Sequence, residues 1–241
     1  LNINDAKRGN IETGEGSDRI SISAKSNGAG WSNTFNIDTN GGHDSLSLRG
    51  DGGFTNFNVD TGSGNDRVNI RDENNQVDVN TGSGNDRIDV RDGSVKELNA
   101  NTGAGNDRVE IRNVDNANIE TAEGNDRVDL RGTNGDAKID TGEGHDRVSV
   151  RGRVGDVDIN TGEGNDNVNI YADGGQAVVE TGAGNDYVSV KGMEEAVVNT
   201  GEGNDRVHFS GEMNSATANT GAGNDHVSVS HNVKETNIDL W

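Results

Sequence analysis

A six-residue pattern, Thr-Gly-X-Gly-Asn-Asp, recurs eleven times, beginning at Thr13, Thr39, Thr61, Thr81, Thr102, Thr121, Thr141, Thr161, Thr181, Thr200 and Thr220. Successive starts lie 26, 22, 20, 21, 19, 20, 20, 20, 19 and 20 residues apart. A fixed period in this range predicts stacked structural repeats, each contacting its neighbours, in place of one globular core. Every copy closes on an aspartate: Asp18, Asp44, Asp66, Asp86, Asp107, Asp126, Asp146, Asp166, Asp186, Asp205 and Asp225. Stacking places these carboxylates in a column of like charge that something must neutralise.

The residues between motifs alternate. In the unit 61–80, Val68 and Ile70, then Val77 and Val79, each sit between polar neighbours, and a period of two marks a half-buried strand. Each unit therefore reads as two short strands and two turns. The predicted fold is all-β, a right-handed parallel β-helix or β-roll of about eleven two-stranded rungs. It forms one domain over 1–241, with irregular rungs at 1–60, regular repeats at 61–235 and a closing strand at 236–241. About four aliphatic side chains per rung fill a thin interior. Phe and Trp are not expected to fit there repeatedly, because each inner residue must stack on its own copy, although Phe57 alternates with Val59 on a second strand. Trp31, Phe35, Phe54, Phe57 and Trp241 accordingly fall where the period fails. The segment 24–34, with Trp31, reads either as a cap on the first coil or as a surface loop.

Composition alone fits a disordered acidic chain: 42 Asp plus Glu against 21 Lys plus Arg, a formal charge of -21, and only 28% hydrophobic residues. The repeat overrides that reading if a ligand assists folding, so order with metal and disorder without it is expected. Cysteine is absent, which excludes disulfides and thiolate metal sites. No apolar run approaches the roughly 18 residues that cross a bilayer. Proline is absent as well, as expected where backbone donors are spent in ladders. The chain opens in mid-pattern at Leu1-Asn2-Ile3-Asn4, as a piece of a longer protein would.

Two glycines per motif allow turns with positive φ that aim carbonyl oxygens at one point. Calcium takes six to eight hard oxygens, mixing carboxylates with carbonyls. The eleven aspartates are thus candidate metal ligands, with about ten Ca2+ ions in the ten gaps, whose charge nearly cancels -21. The alternative is turn capping by Asp without metal. In Thr39-Asn40-Gly41-Gly42-His43-Asp44 a glycine is displaced, Ala122 replaces another, and Ser17 and His145 stand in for Asn; weaker sites are expected there.

Gly62-Ser63-Gly64-Asn65-Asp66-Arg67-Val68-Asn69 and its counterparts resemble the RTX calcium-binding nonapeptide. The resemblance covers almost the whole chain. It implies a parallel β-roll with calcium in the turns, as in secreted toxins, proteases, adhesins and surface proteins of bacteria. Thr replaces the first glycine of that pattern, and the motif occurs once per turn, which implies calcium along one edge only.

On the first strand, Arg19, Arg67, Arg87, Arg108, Arg127, Arg147 and Arg206 follow the motif aspartate. Arg49, Arg71, Arg91, Arg112, Arg131, Arg151 and Lys191 form a second column. Asp89, Glu110 and Asp129 lie between them. Lateral ion pairing is the expected role. The net charge, and the lack of aromatic residues interleaved with the arginines, argue against nucleic acid and other polyanions. The five histidines are scattered through the repeat and no nucleophile or open metal triad stands out, so the chain is not read as an enzyme.

Three functions remain. The first is a calcium-binding structural or adhesive repeat domain of a secreted or cell-surface protein, a monomer whose partners include a surface polysaccharide or a cell surface. The second is a calcium-dependent ice-binding domain, implied by resemblance to ice-binding adhesins. Those carry Thr between the glycines, whereas this chain has Glu15, Ser63, Ala104 and their like there and ranks only its Asn residues. The Thr column that opens the motifs shares parity with Val77 and Val79 and is expected to point inward. The third is a repeat domain attached to a secreted enzyme or toxin.

Overall fold

The computed structural model describes residues 1–25, 32–50, 55–71, 73–91, 93, 95–133, 135–230 and 232–240. Trp31, Phe54 and Trp241, with most of the expected cap, lie outside them. The described residues contain strands and no helix, and they form the right-handed parallel β-solenoid that the repeat predicts. The chain divides into two compact units, Leu1–Thr121 and Ala122–Trp241.

In the first unit one face is built from β1 (Asn2–Ala6), β3 (Arg19–Ala24), β5 (Ser45–Arg49), β7 (Arg67–Arg71), β9 (Arg87–Arg91) and the first part of β11 (Arg108–Glu120). The other is built from β2 (Gly9–Glu12), β4 (Asn33–Asp38), β6 (Thr55–Asp60), β8 (Asn74–Asn80), β10 (Val95–Asn101) and the rest of β11. Pairing is parallel and in register, so Val68 lies between Leu46 and Ile88, and Val77 between Phe57 and Leu98. The second unit repeats the plan. Its first face has β12 (Arg127–Thr133), β14 (Arg147–Arg153), the leading parts of β16 (Asn167–Glu180) and β17 (Tyr187–Asn199), then β18 (Arg206–Ser210) and β20 (His226–Val229). Its second face has β13 (Ala137–Asp140), β15 (Val157–Asn160), the trailing parts of β16 and β17, β19 (Met213–Asn219) and β21 (Val233–Asp239).

Alternation decides what is inside. Val68, Ile70, Val77 and Val79 are buried as a set, and the same four positions are buried in layer after layer. Because each layer holds so few apolar groups, hydrophobic burial cannot by itself offset the ordering of about 20 residues per turn at roughly 1–2 kcal/mol each. Polar ladders between layers must supply the rest.

Three expectations need correction. Aromatic rings do fit in successive layers: Phe35 and Phe57 are fully buried and stack with centroids 5.4 Å apart at 25°, and Phe209 is fully buried within the regular repeats. Offset stacking matches the layer spacing, so a ring can sit on its own copy. The edge opposite the motif is often no separate turn, since β11, β16 and β17 run through it. Elsewhere single left-handed residues bend it, such as Gly132 (φ 68°), Gly152 (φ 92°) and Gly211 (φ 89°). The last strand begins at Val233, not 236, and pairs with β19.

A methyl group has no room at the second motif glycine. Gly164 has φ 146° and its added Cβ would lie 1.5 Å from the Gly144 carbonyl oxygen, whereas a Cβ on Gly14 meets nothing within 4 Å. Gly164→Ala should therefore cost about 3 kcal/mol or more, and Gly14→Ala less than about 0.5 kcal/mol, in chemical denaturation.

Candidate metal centre

Each motif turn pairs with the next layer in its own right. Ser63, Ser83 and Ala104 bridge in parallel, as do Glu163, Ala183, Glu202 and Ala222. The Ser83 N–H donates to the Gly62 carbonyl at 3.0 Å, and the Gly64 N–H donates to the Ser83 carbonyl at 2.7 Å. This close approach requires glycine at the second position. The first position has a left-handed backbone that Asn40 (φ 61°) and Ala122 (φ 65°) also adopt, whereas at Gly62 and Gly162 an added Cβ would lie 1.5 and 2.1 Å from the corresponding carbonyl of the preceding layer. The glycine that looked displaced after Thr39 is thus replaced in conformation by Asn40, and Gly41 occupies the variable place.

The motif threonines point inward as expected. Thr39, Thr61, Thr81, Thr181 and Thr200 are fully buried, and each hydroxyl donates to the carbonyl of the corresponding threonine one layer on, at 3.4–3.5 Å.

The last two residues of the motif act in opposite directions. The Asn65 side-chain oxygen accepts from the Asn85 N–H of the following layer at 2.6 Å. The Asp86 Oδ1 accepts from the Asp66 N–H of the preceding layer at 2.7 Å. The same forward and backward bonds recur through both units, as in Asn204 to Asn185 and Asp205 to Asp225. His43 and His145 fill the Asn role through Nδ1, accepting from the Asn65 and Asn165 N–H groups at 2.8 and 2.7 Å. This fixes the ring proton on Nε2 and preserves the ladder where the sequence predicts a weak site.

The structure gathers the predicted aspartates into one column in each unit: Asp18, Asp44, Asp66, Asp86 and Asp107 in the first, Asp126, Asp146, Asp166, Asp186, Asp205 and Asp225 in the second. Asp18 and Asp225 are half-buried, and the others are at most 3% exposed. Oδ1 is committed to the backbone. The Oδ2 atoms of Asp44, Asp66, Asp86, Asp146, Asp166, Asp186, Asp205 and Asp225 are buried with no donor at hydrogen-bonding geometry. Burial pushes the carboxyls of Asp86 and Asp186 up to about 6 and that of Asp146 up to about 7, and raises Asp66 and Asp166. The motif threonine hydroxyls and the backbone N–H groups oppose the rise, while for Asp66, Asp86, Asp146 and Asp186 neighbouring aspartates add to it.

Sequence reasoning set capping against metal binding as alternatives. Asp44, Asp66, Asp86, Asp146, Asp166, Asp186, Asp205 and Asp225 in fact cap with one oxygen while the other accepts no hydrogen bond, so the two roles coexist chemically. What the sequence missed is the direction of the cap, which runs to the preceding layer; the recurrent Asn-Asp pair, broken only at Ser17, His43 and His145, was its only signal. Among the described residues no three Asp, Glu or His side chains form a ready metal cluster. The carboxylates arrive one per layer, and the carbonyls of the first glycine and the variable residue already accept backbone hydrogen bonds. An ion here would draw first on the uncommitted carboxylate oxygens, which are hard donors suited to calcium.

In the first unit Arg67, Arg87, Arg91 and Arg108 pair laterally, as expected. Asp89 accepts from Arg67, Arg87 and Arg91, and Glu110 from Arg87, Arg91 and Arg108. Against the effect of its burial, Arg87 and Arg91 hold Asp89 below the usual carboxylate range. A shallow hollow of about 580 Å³ lies on the second face of this unit among residues such as Asn36, Asp38, Asn58 and Asp60, and touches no motif residue.

No protein-family model, curated protein or solved structure matches the chain.

The raised aspartates give a pH dependence with a definite sign. A carboxyl whose folded value lies above its unfolded value of about 4 stabilises the fold when protonated. That contribution is complete below about pH 4 and lost as pH rises through about 7, by the values for Asp86, Asp146 and Asp186. In chelator, the thermal midpoint should therefore fall steadily between pH 4.5 and pH 7.5, as measured by circular dichroism.

Proposed function

We propose that this chain is a calcium-binding structural repeat domain of a secreted or cell-surface protein, of the RTX-like kind, which takes up calcium along the motif edge as it folds. The observation that supports the reading is the column of buried aspartates, eight of which, from Asp44 to Asp86 and from Asp146 to Asp225, keep an Oδ2 that accepts no hydrogen bond, several of them with raised pKa. At neutral pH such a column must hold protons, hold cations, or come apart. The ligands would be the Oδ2 atoms of successive aspartates within each unit, Asp18 to Asp107 and Asp126 to Asp225, completed by turn carbonyls. A bound divalent ion supplies the positive charge that lets these carboxylates stay ionised and buried. Calcium suits flexible, oxygen-rich turns better than magnesium, which demands tight octahedral geometry and keeps its waters. Because a preformed site rarely exists in the unfolded chain, binding free energy here becomes folding free energy. Calcium near millimolar outside cells would keep the domain folded there, and no catalytic step is assigned to it.

Asp146→Asn tests the reading, since it preserves the acceptor for the Asp126 N–H at 2.8 Å but removes the charge. In chelator at pH 7.5 the variant should be more stable than the parent, by about 1–2 kcal/mol. In millimolar calcium it should be less stable, while magnesium should rescue neither protein. A parent chain whose β-sheet spectrum and thermal midpoint ignore both calcium and chelator refutes the proposal. Asp18→Ala should change the calcium-bound midpoint far less than Asp146→Ala, because Asp18 is only half-buried and has no earlier motif turn to cap.

A further inference from the structure

The lateral pairing built on Asp89 and Glu110 in the first unit extends to Asp129 in the second and ends there. In register, the central outward column there runs Asp129, Ser149, Asn169, Ser189. Arg127 occupies both oxygens of Asp129, through Nε at 2.8 Å and Nη2 at 3.2 Å. One layer on, Arg147 and Arg151 flank Ser149 instead of a carboxylate, with Arg131 beside Arg151. All three arginines are exposed, and among the described residues no acidic side chain pairs with them. Ser149 itself is 5% exposed, and its hydroxyl is buried without a hydrogen-bond partner on the outward side of the strand. The position that Asp89 fills with a carboxylate is here framed by cations and left without an anion.

The next two layers continue the surface with different chemistry. Tyr171 follows Arg151 in its column and Tyr187 follows Arg147 and Asn167 in the other. They are the only two tyrosines in the chain. This overturns the expectation that no aromatic residue interleaves with the basic columns. Tyr171 is 48% exposed, Lys191 lies 6.0 Å from its ring centre, and both border a hollow of about 490 Å³. A half-exposed tyrosine ring offers an apolar face with a polar tip.

We propose that this face of the second unit binds an acidic glycan, with Arg147 and Arg151 taking a uronate carboxylate over Ser149 and Tyr171 stacking on a neighbouring sugar ring. Arginine forks match carboxylates in paired hydrogen bonds, and the chain itself uses that pairing at Asp89. A sugar polymer fits better than a polyphosphate strand. The cations do not run on as a stripe, because Asn167 and Tyr171 follow them, so the face offers one carboxylate fork beside one ring and no row of phosphate contacts.

The test uses the full chain in calcium-containing buffer, with its β-sheet spectrum checked first, so that a failure of the calcium reading shows separately. Titration calorimetry with a hexamer of galacturonate should give saturable binding, and the same hexamer with its carboxylates reduced to alcohols should bind about tenfold more weakly or not at all. Ser149→Asp supplies the missing carboxylate from within, as Asp89 does. It should reduce affinity about tenfold or more while leaving the thermal midpoint unchanged or raised. Tyr171→Ala, at an exposed position, should reduce affinity for the hexamer but not for monomeric galacturonate. No binding by the parent chain, equal binding of the neutral hexamer, undiminished binding by Ser149→Asp, or tighter binding of hexathymidylate would each overturn the proposal.

Discussion

The hydrogen bond from one aspartate N–H to the carboxylate of the next motif aspartate is the contact on which the rest of the solenoid depends. It draws each carboxylate inward, out of water, and ties it to the layer before. The adjacent asparagine reaches the layer after. Two consecutive side chains thus clamp the inner motif turns of each unit, such as those ending at Asp86 and Asp186, from both sides, and the glycines let the turns approach closely enough for the clamp to close. A layer with only a few buried aliphatic groups has little else to hold it in register. Buried polar ladders of this kind stabilise a fold only when every member is satisfied. In aspartates such as Asp66, Asp86, Asp146 and Asp186 one oxygen is satisfied by the backbone, and the other creates the demand for a proton or a cation.

That demand links architecture to function. A buried ionised carboxylate is costly unless its charge is compensated, and a column of them compounds the cost through mutual repulsion. Protonation and calcium are two answers to one problem, and they act over different conditions. The proton answer is confined to acidic pH by the values near 6 and 7 for Asp86, Asp146 and Asp186. Calcium, as proposed, would be the answer where the ion is plentiful. The outer faces follow separate rules, since their charges are solvated or paired laterally and vary between layers without disturbing the clamp.

Much of this was legible from period and alternation. The spacing of the motifs gave the layers, and the parity of Val68, Ile70, Val77 and Val79 gave the core. The parity of the threonines with those valines gave their inward direction. What stayed hidden depended on register between layers, which one sequence does not display. The interior stack of Phe35 on Phe57 follows from the offset between neighbouring layers. The equivalence of Asn40 to a motif glycine follows from its left-handed backbone, and identity alone reads it as a defect. The direction of the aspartate cap follows from which N–H faces which oxygen. The unpaired arginines around Ser149 emerge only when residues 20 apart are laid side by side.

Direct counting of bound calcium tests the central claim that the uncommitted aspartate oxygens are cation sites. Equilibrium dialysis of the folded chain against radioactive calcium at neutral pH should find several ions per chain, approaching one for each pair of successive aspartates within a unit, with Asp146→Asn losing about one or two of them. Saturation at no more than about one ion, or a count untouched by Asp146→Asn, would mean that the buried column is neutralised by protons or by the fold alone, and would contradict the account.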